Sequence, residues 1–75
     1  NPTRDWLYIN YGEQLTEKSR LLVLDLSGKV MLTNPVPSGL IIQQLDVSSL
    51  PEGMYMIYRV VGDVIKGYSK FIRTR

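Results

Sequence analysis

Few side chains in this 75-residue chain are equipped for chemistry, and they are poorly matched to one another. There is no histidine and no cysteine, which removes the commonest general base, the commonest metal ligand and the thiolate nucleophile together. Ser48 and Ser49 therefore have no imidazole to activate them. Seven carboxylates remain, Asp5, Glu13, Glu17, Asp25, Asp46, Glu52 and Asp63, mostly in turn-forming stretches. Paired-acid hydrolysis needs two of them to converge on a cleft. Asp46 with Glu52, or Asp25 beside Ser27-Gly28, offers the loop oxygens that calcium takes, but in no recognisable motif. No catalytic residue, metal site or cofactor is expected. From Val64 onward the chain carries Lys66, Lys70, Arg73 and Arg75 and no acid, interleaved with Tyr68 and Phe71. Cations among aromatics suit single-stranded nucleic acid. They equally suit a last strand whose charges face water and protect a sheet edge, and the absence of a basic stripe on the other strands favours this second reading. Neutralising such exposed charges is expected to leave stability almost unchanged.

The elements that would position these residues are strands. A composition 44% hydrophobic and 21% charged, with a net charge of +2, is that of a folded domain and not of a disordered or strongly nucleic-acid-seeking chain. Residues 1–75 read as one domain, residues 1–5 as the end of a linker and the whole as a fragment of a longer protein. No apolar run reaches the ~18 residues that a spanning helix requires. Trp6-Leu7-Tyr8-Ile9-Asn10-Tyr11 alternates as a strand with Leu7, Ile9 and Tyr11 on one face. Gly12 to Ser19 reads as a loop or a frayed helical turn. Arg20 to Leu26 forms a second strand, with Leu22, Leu24 and Leu26 the expected core face. Ser27-Gly28 turns it into Lys29 to Thr33. Asn34 to Gly39, with two prolines and a glycine, reads as a loop. Leu40 to Val47 is a further strand, and Ser48 to Gly53 a tight corner with Leu50 tucked under it. Six or seven short strands without helical periodicity predict an all-β fold, a small immunoglobulin-like antiparallel β-sandwich.

The last hairpin, Leu50 to Phe71 around Gly62-Asp63, is the centre of this scheme. A two-residue loop sets Val61 opposite Val64, Arg59 opposite Lys66, Tyr55 opposite Lys70 and Met54 opposite Phe71. Like charges directly opposite are unfavourable, so either that face is partly wet or a bulge near Tyr58-Arg59 shifts the parity. Gly53 suits a positive φ or a close backbone neighbour, and Tyr55 suits a sandwich corner where the ring is buried and the hydroxyl returns to the backbone.

Taken in order, Asn1-Pro2-Thr3, Leu7-Tyr8-Ile9, Leu24-Asp25-Leu26-Ser27-Gly28-Lys29-Val30, Leu45 to Tyr55 and Lys70-Phe71-Ile72 resemble the C-terminal sorting domain of type IX secretion cargo. The resemblance spans nearly the whole chain. The family's Asp-x-x-Gly-Lys/Arg turn is matched by Asp25, Gly28 and Lys29, its Leu-x-x-Gly-x-Tyr by Leu50, Gly53 and Tyr55, and its short basic tail by Lys70, Arg73 and Arg75. The opening Pro-Asn-Pro is represented by Asn1-Pro2 without its first proline, and Arg59 stands where the family usually has an apolar residue. The resemblance implies a non-catalytic export signal of Bacteroidetes-type Gram-negative bacteria, reaching the cell surface or the medium through the periplasm and outer membrane. Its partners would be an N-terminal passenger, the type IX outer-membrane machinery and a sortase-like peptidase that often removes the domain. Recognition would fall on the final strand and tail, Lys70, Phe71, Ile72, Arg73 and Arg75, with Gly53 and Tyr55. The isolated domain is expected to be a monomer. Two alternatives stay open: a carbohydrate- or matrix-binding β-module using Trp6 and Tyr8, and a nucleic-acid-binding barrel.

Overall fold

The computed structural model describes residues 2–3 and 5–74, and the side chains of residues 5–74. Seven strands follow in chain order: β1 (Pro2–Thr3), β2 (Trp6–Asn10), β3 (Ser19–Leu24), β4 (Val30–Val36), β5 (Ile42–Asp46), β6 (Gly53–Val61) and β7 (Val64–Arg73). One sheet has the order β1-β7-β6-β3-β4, and the other pairs β2 with β5. Every ladder is antiparallel except that of β1, which lies parallel to the end of β7 with Pro2 beside Ile72 and Thr3 beside Arg73. The neighbours β2-β5 and β7-β6-β3-β4 reproduce the B-E and G-F-C-C′ adjacencies of an immunoglobulin-like sandwich. The described residues contain no helix, so the all-β sandwich expected from the density of short strands is the fold.

The core lies between the sheets. Leu7 and Leu45 reach it from the small sheet, and Leu21, Val23, Val36, Tyr55, Ile57 and Phe71 from the large one. Leu15, Val47 and Leu50 close it from the loops. Leu50 occupies the tucked position expected of it, with its N–H donating to the Val47 carbonyl at 3.1 Å. Gly12 to Lys18 is a loop without helix, bound at Leu15: its N–H donates to the Leu40 carbonyl at 2.9 Å, and its carbonyl accepts from Gly39 at 2.7 Å.

Three expectations need correction. The inward face of β3 is Leu21 and Val23, while Leu22 and Leu24 are half-buried on the outer face and Leu26 is 73% exposed in the turn. Leucine fills both faces of this strand, so alternation alone gave no preference. β4 continues through Asn34, Pro35 and Val36 where a loop was expected, and Val36 is fully buried. Proline is tolerated because β4 is an edge strand, where one row of backbone donors needs no partner.

The last hairpin keeps Val61 opposite Val64 and Val60 opposite Ile65, but a register shift beyond Val60 sets Arg59 against Gly67 and leaves Lys66 as the extra residue. Tyr55 therefore faces Phe71 instead of Lys70, and Met54 faces Ile72 instead of Phe71. The bulge removes the Arg59–Lys66 opposition and brings Tyr55, Ile57 and Phe71 onto the core face together.

Candidate functional site

The motif residues converge on one end of the sandwich. β6 begins at the level where β3 and β7 end, because Leu24 and Lys70 are both in register with Met56. The two motifs Leu50-x-x-Gly53-x-Tyr55 and Lys70-Phe71-Ile72-Arg73, well separated in sequence, become cross-strand neighbours through the pairs Gly53–Arg73, Met54–Ile72 and Tyr55–Phe71. The Asp25 turn and the Asp46 corner close the same end. Asn1 and Arg75 lie outside the described residues, as does the side chain of Pro2.

Most of these residues hold the end together. The Asp25 Oδ1 accepts from the Ser27 N–H at 2.9 Å, the Ser27 hydroxyl at 2.6 Å and the Lys29 N–H at 3.0 Å. Gly28 takes φ +90° within this turn, which glycine adopts without a Cβ penalty. The Asp46 Oδ1 accepts from the Ser48 N–H at 2.9 Å and the Ser48 hydroxyl at 2.6 Å, repeating the Asp-x-Ser device. Donors hold both carboxyls below their usual range, chiefly the Ser27 hydroxyl and Lys29 N–H for Asp25, and the Ser48 hydroxyl and N–H for Asp46. A depressed folded-state pKa adds stability above the ordinary carboxylate value and loses it as pH falls through the folded-state value. Stability is accordingly expected to decline below about pH 4, and less steeply in the Asp25→Asn/Asp46→Asn variant. Urea midpoints measured across that range check this; parallel acid limbs would contradict it.

Gly53 opens β6 at φ +155°, and an added Cβ would meet nothing nearer than Tyr55 Cε2 at 4.0 Å. Backbone conformation, and not crowding by a neighbouring strand, is the reason for glycine here. The Tyr55 ring is buried, lies 5.5 Å from the Phe71 ring centroid to centroid at 25°, and its hydroxyl donates to the Pro51 carbonyl at 2.5 Å. This is the tyrosine corner of immunoglobulin-like sandwiches. Tyr55→Phe keeps the ring and removes the bond, so a loss of ~1 kcal/mol is expected from chemical denaturation; an unchanged midpoint would leave packing as its only role.

The terminal strand divides into buried and exposed members. Phe71 is 2% exposed and belongs to the core, Ile72 is partly exposed beside Met54 on the outer face, and Lys70 is exposed. Arg73 corrects the expectation of a uniformly solvated tail. Its side chain is only 13% exposed; Nε donates to the Val47 carbonyl at 2.8 Å and one terminal nitrogen to the Ser48 carbonyl at 3.0 Å. The other terminal nitrogen donates to the Thr74 carbonyl, and Asp5 lies 3.8 Å away. Sequence reasoning missed Asp5, Val47 and Ser48 as partners of Arg73. The repeated Asp-x-Ser pattern at Asp25 and Asp46 was the only local signal that the second corner was built as carefully as the first.

Charge is partitioned between strands and loops. The five-stranded sheet carries Arg20, Arg59, Lys66, Lys70 and Arg73 and no Asp or Glu, whereas the acids lie in loops and turns, with Asp46 at the end of β5. Arg59 lies with its guanidinium carbon 5.8 Å from the centroid of the Tyr11 ring. Burial raises the Tyr11 pKa and the Arg59 charge opposes the rise, while the Tyr11 hydroxyl donates to Gln43 Oε1 at 2.7 Å. Trp6 and Tyr8 project from the same outer face of β2, Tyr8 67% exposed. Among the described residues no three of Asp, Glu, His and Cys gather as metal ligands, and no helix is long and apolar enough to cross a membrane.

Fold and site together define a small β-sandwich module whose motifs build one end of the domain. Residues 1–72 match the family model of the secretion system C-terminal sorting domain, and the chain belongs to this family. Comparison with curated proteins and with solved structures gives no match. The chain is thus a C-terminal sorting signal for type IX secretion, engages that system's machinery, and directs export to the cell surface or the medium.

Proposed function

We propose that the machinery reads the end of the sandwich where the motifs converge, and that Lys70 with the tail beyond Arg73 supplies its charged contacts. The convergence itself carries this reading: Gly53, Tyr55, Phe71 and Arg73 fix the end, and Lys70 projects from it into solvent. Residues 1–75 act as one non-catalytic domain, monomeric when isolated, joined to a passenger on its N-terminal side. Its proposed partners include a sortase-like peptidase, which often removes domains of this kind. The family membership and the lack of histidine and cysteine support a role without catalysis.

The test uses a reporter fused ahead of the chain in a bacterium with a type IX system. Arg73 must stay intact, because its loss would confuse folding with recognition. The Lys70→Gln/Arg75→Gln variant is expected to keep the wild-type urea midpoint, since Lys70 is exposed and substitution at such a position changes stability by only about 0.5 kcal/mol, and to accumulate in the periplasm. Normal export of that variant would overturn the assignment. A glycan-binding role for Trp6 and Tyr8 would instead appear as polysaccharide retention lost on Tyr8→Ala.

A further inference from the structure

β7 is paired with β6 along one side, but on its other side, among the described residues, only Ile72 and Arg73 have a partner, the short parallel β1. Residues 64–71 leave that edge open. Among the described residues β2 is likewise paired on one side only, by β5. The two edges border a groove of about 360 Å³ floored by Leu21, Ile57 and Phe71, and Arg59, Lys66 and Lys70 line it without a single carboxylate. We propose that this groove receives an extended acidic peptide segment of a partner protein, which adds as a strand to the free edge of β7, turns alternate side chains onto the apolar floor and sets its carboxylates against Lys66 and Lys70.

Three features select this occupant. β1 already uses the same edge in strand pairing, so the incoming segment continues an existing ladder. The apolar floor accommodates alternate side chains of an added strand, which is how such complexes gain specificity beyond main-chain bonds. The charges act in two directions. Lysines on an edge oppose pairing with another copy of this chain, whose own Lys66 and Lys70 would be brought close, while they favour a strand of opposite sign. The edge is thus guarded against itself and open to an acidic partner.

The inference rests on reading the chain as a recognised signal, but its test is binding by the isolated 75-residue chain. The probe is a capped octapeptide alternating valine and glutamate, titrated while backbone amide resonances are followed. Shifts centred on β2 and β7 and reaching the floor residues Leu21 and Ile57, and an affinity that falls with added salt, are expected. Methylating the peptide amides that face β7 should abolish binding, and methylating the opposite set should not. Lys66→Glu/Lys70→Glu should weaken binding by about tenfold or more and create affinity for the valine–lysine counterpart. Absence of binding, shifts centred elsewhere, or indifference to amide methylation would overturn the proposal. Equal binding and mutual displacement by an oligothymidylate would reduce the groove to a general polyanion site and overturn it as well. If the peptide fails while export still depends on Lys70, the recognition reading stands and only this inference falls.

Discussion

Phe71→Ala is expected to leave the domain largely unfolded at ambient temperature. The ring is 2% exposed and stacked on Tyr55, so its removal both withdraws a large apolar surface from the core and opens a cavity against a partner that cannot follow. Buried Phe-to-Ala changes typically cost about 3 to 5 kcal/mol. A disulfide-free core of this size supplies total stability on the order of 5 kcal/mol or less, so the substitution consumes nearly all of it. Phe71→Leu, which retains most of the volume, should restore a cooperative transition at a lower urea midpoint. A Phe71→Ala variant with the wild-type midpoint would mean that the stacked pair contributes nothing.

Arg73→Gln is expected to destabilise by about 2 kcal/mol, the range of hydrogen bonds to a charged group. The guanidinium ties the last strand to the carbonyls of Val47 and Ser48, and glutamine cannot reach two acceptors with one planar fork. Arg73→Lys keeps the charge and loses the fork, so it should recover only part of the loss. Lys70→Gln, three residues away and exposed, should be within about 0.5 kcal/mol of wild type. Parallel urea denaturation of the three variants separates these cases, and equal midpoints would return Arg73 to the status of a solvated tail charge.

What could be read from the chain and what could not follow from the range of the interactions. Turns and corners are local, so Ser27-Gly28, Gly62-Asp63, the tuck of Leu50 and the returning hydroxyl of Tyr55 were visible in a few adjacent residues each. The bulge beside Arg59 was visible only as a conflict, two cations opposed on one rung, with a wet face as the other way out. The inward face of β3 was unreadable because Leu21, Leu22, Val23 and Leu24 are all apolar, and only the position of the second sheet decides between them. Continuation of β4 through Pro35 depends on that strand lying at an edge, which is a property of the assembled sheet. The role of Arg73 depends on residues 5, 47 and 48, which nothing in the local sequence links to it. Family resemblance located the motif residues, but it did not distinguish those that hold the end from those left exposed on it.

The parallel pairing of Pro2–Thr3 with Ile72–Arg73 joins the two extremities of the chain in one ladder, and β7 supplies a core residue next to that junction. A ribosome or a translocation channel delivers the chain from its N-terminal side, so the ladder cannot form before residues 72 and 73 have emerged. Loop closure across almost the whole sequence must then precede the contacts that reward it, which places the domain among the slow, high-contact-order folders. Folding of the sandwich thereby waits for residues 72 and 73: a cargo cut short of them would lack the signal physically as well as in sequence. Chains ended at Ser69 should be degraded by a limited amount of protease that leaves the complete chain intact, and comparable resistance of the two would show that closure of the ladder is not required.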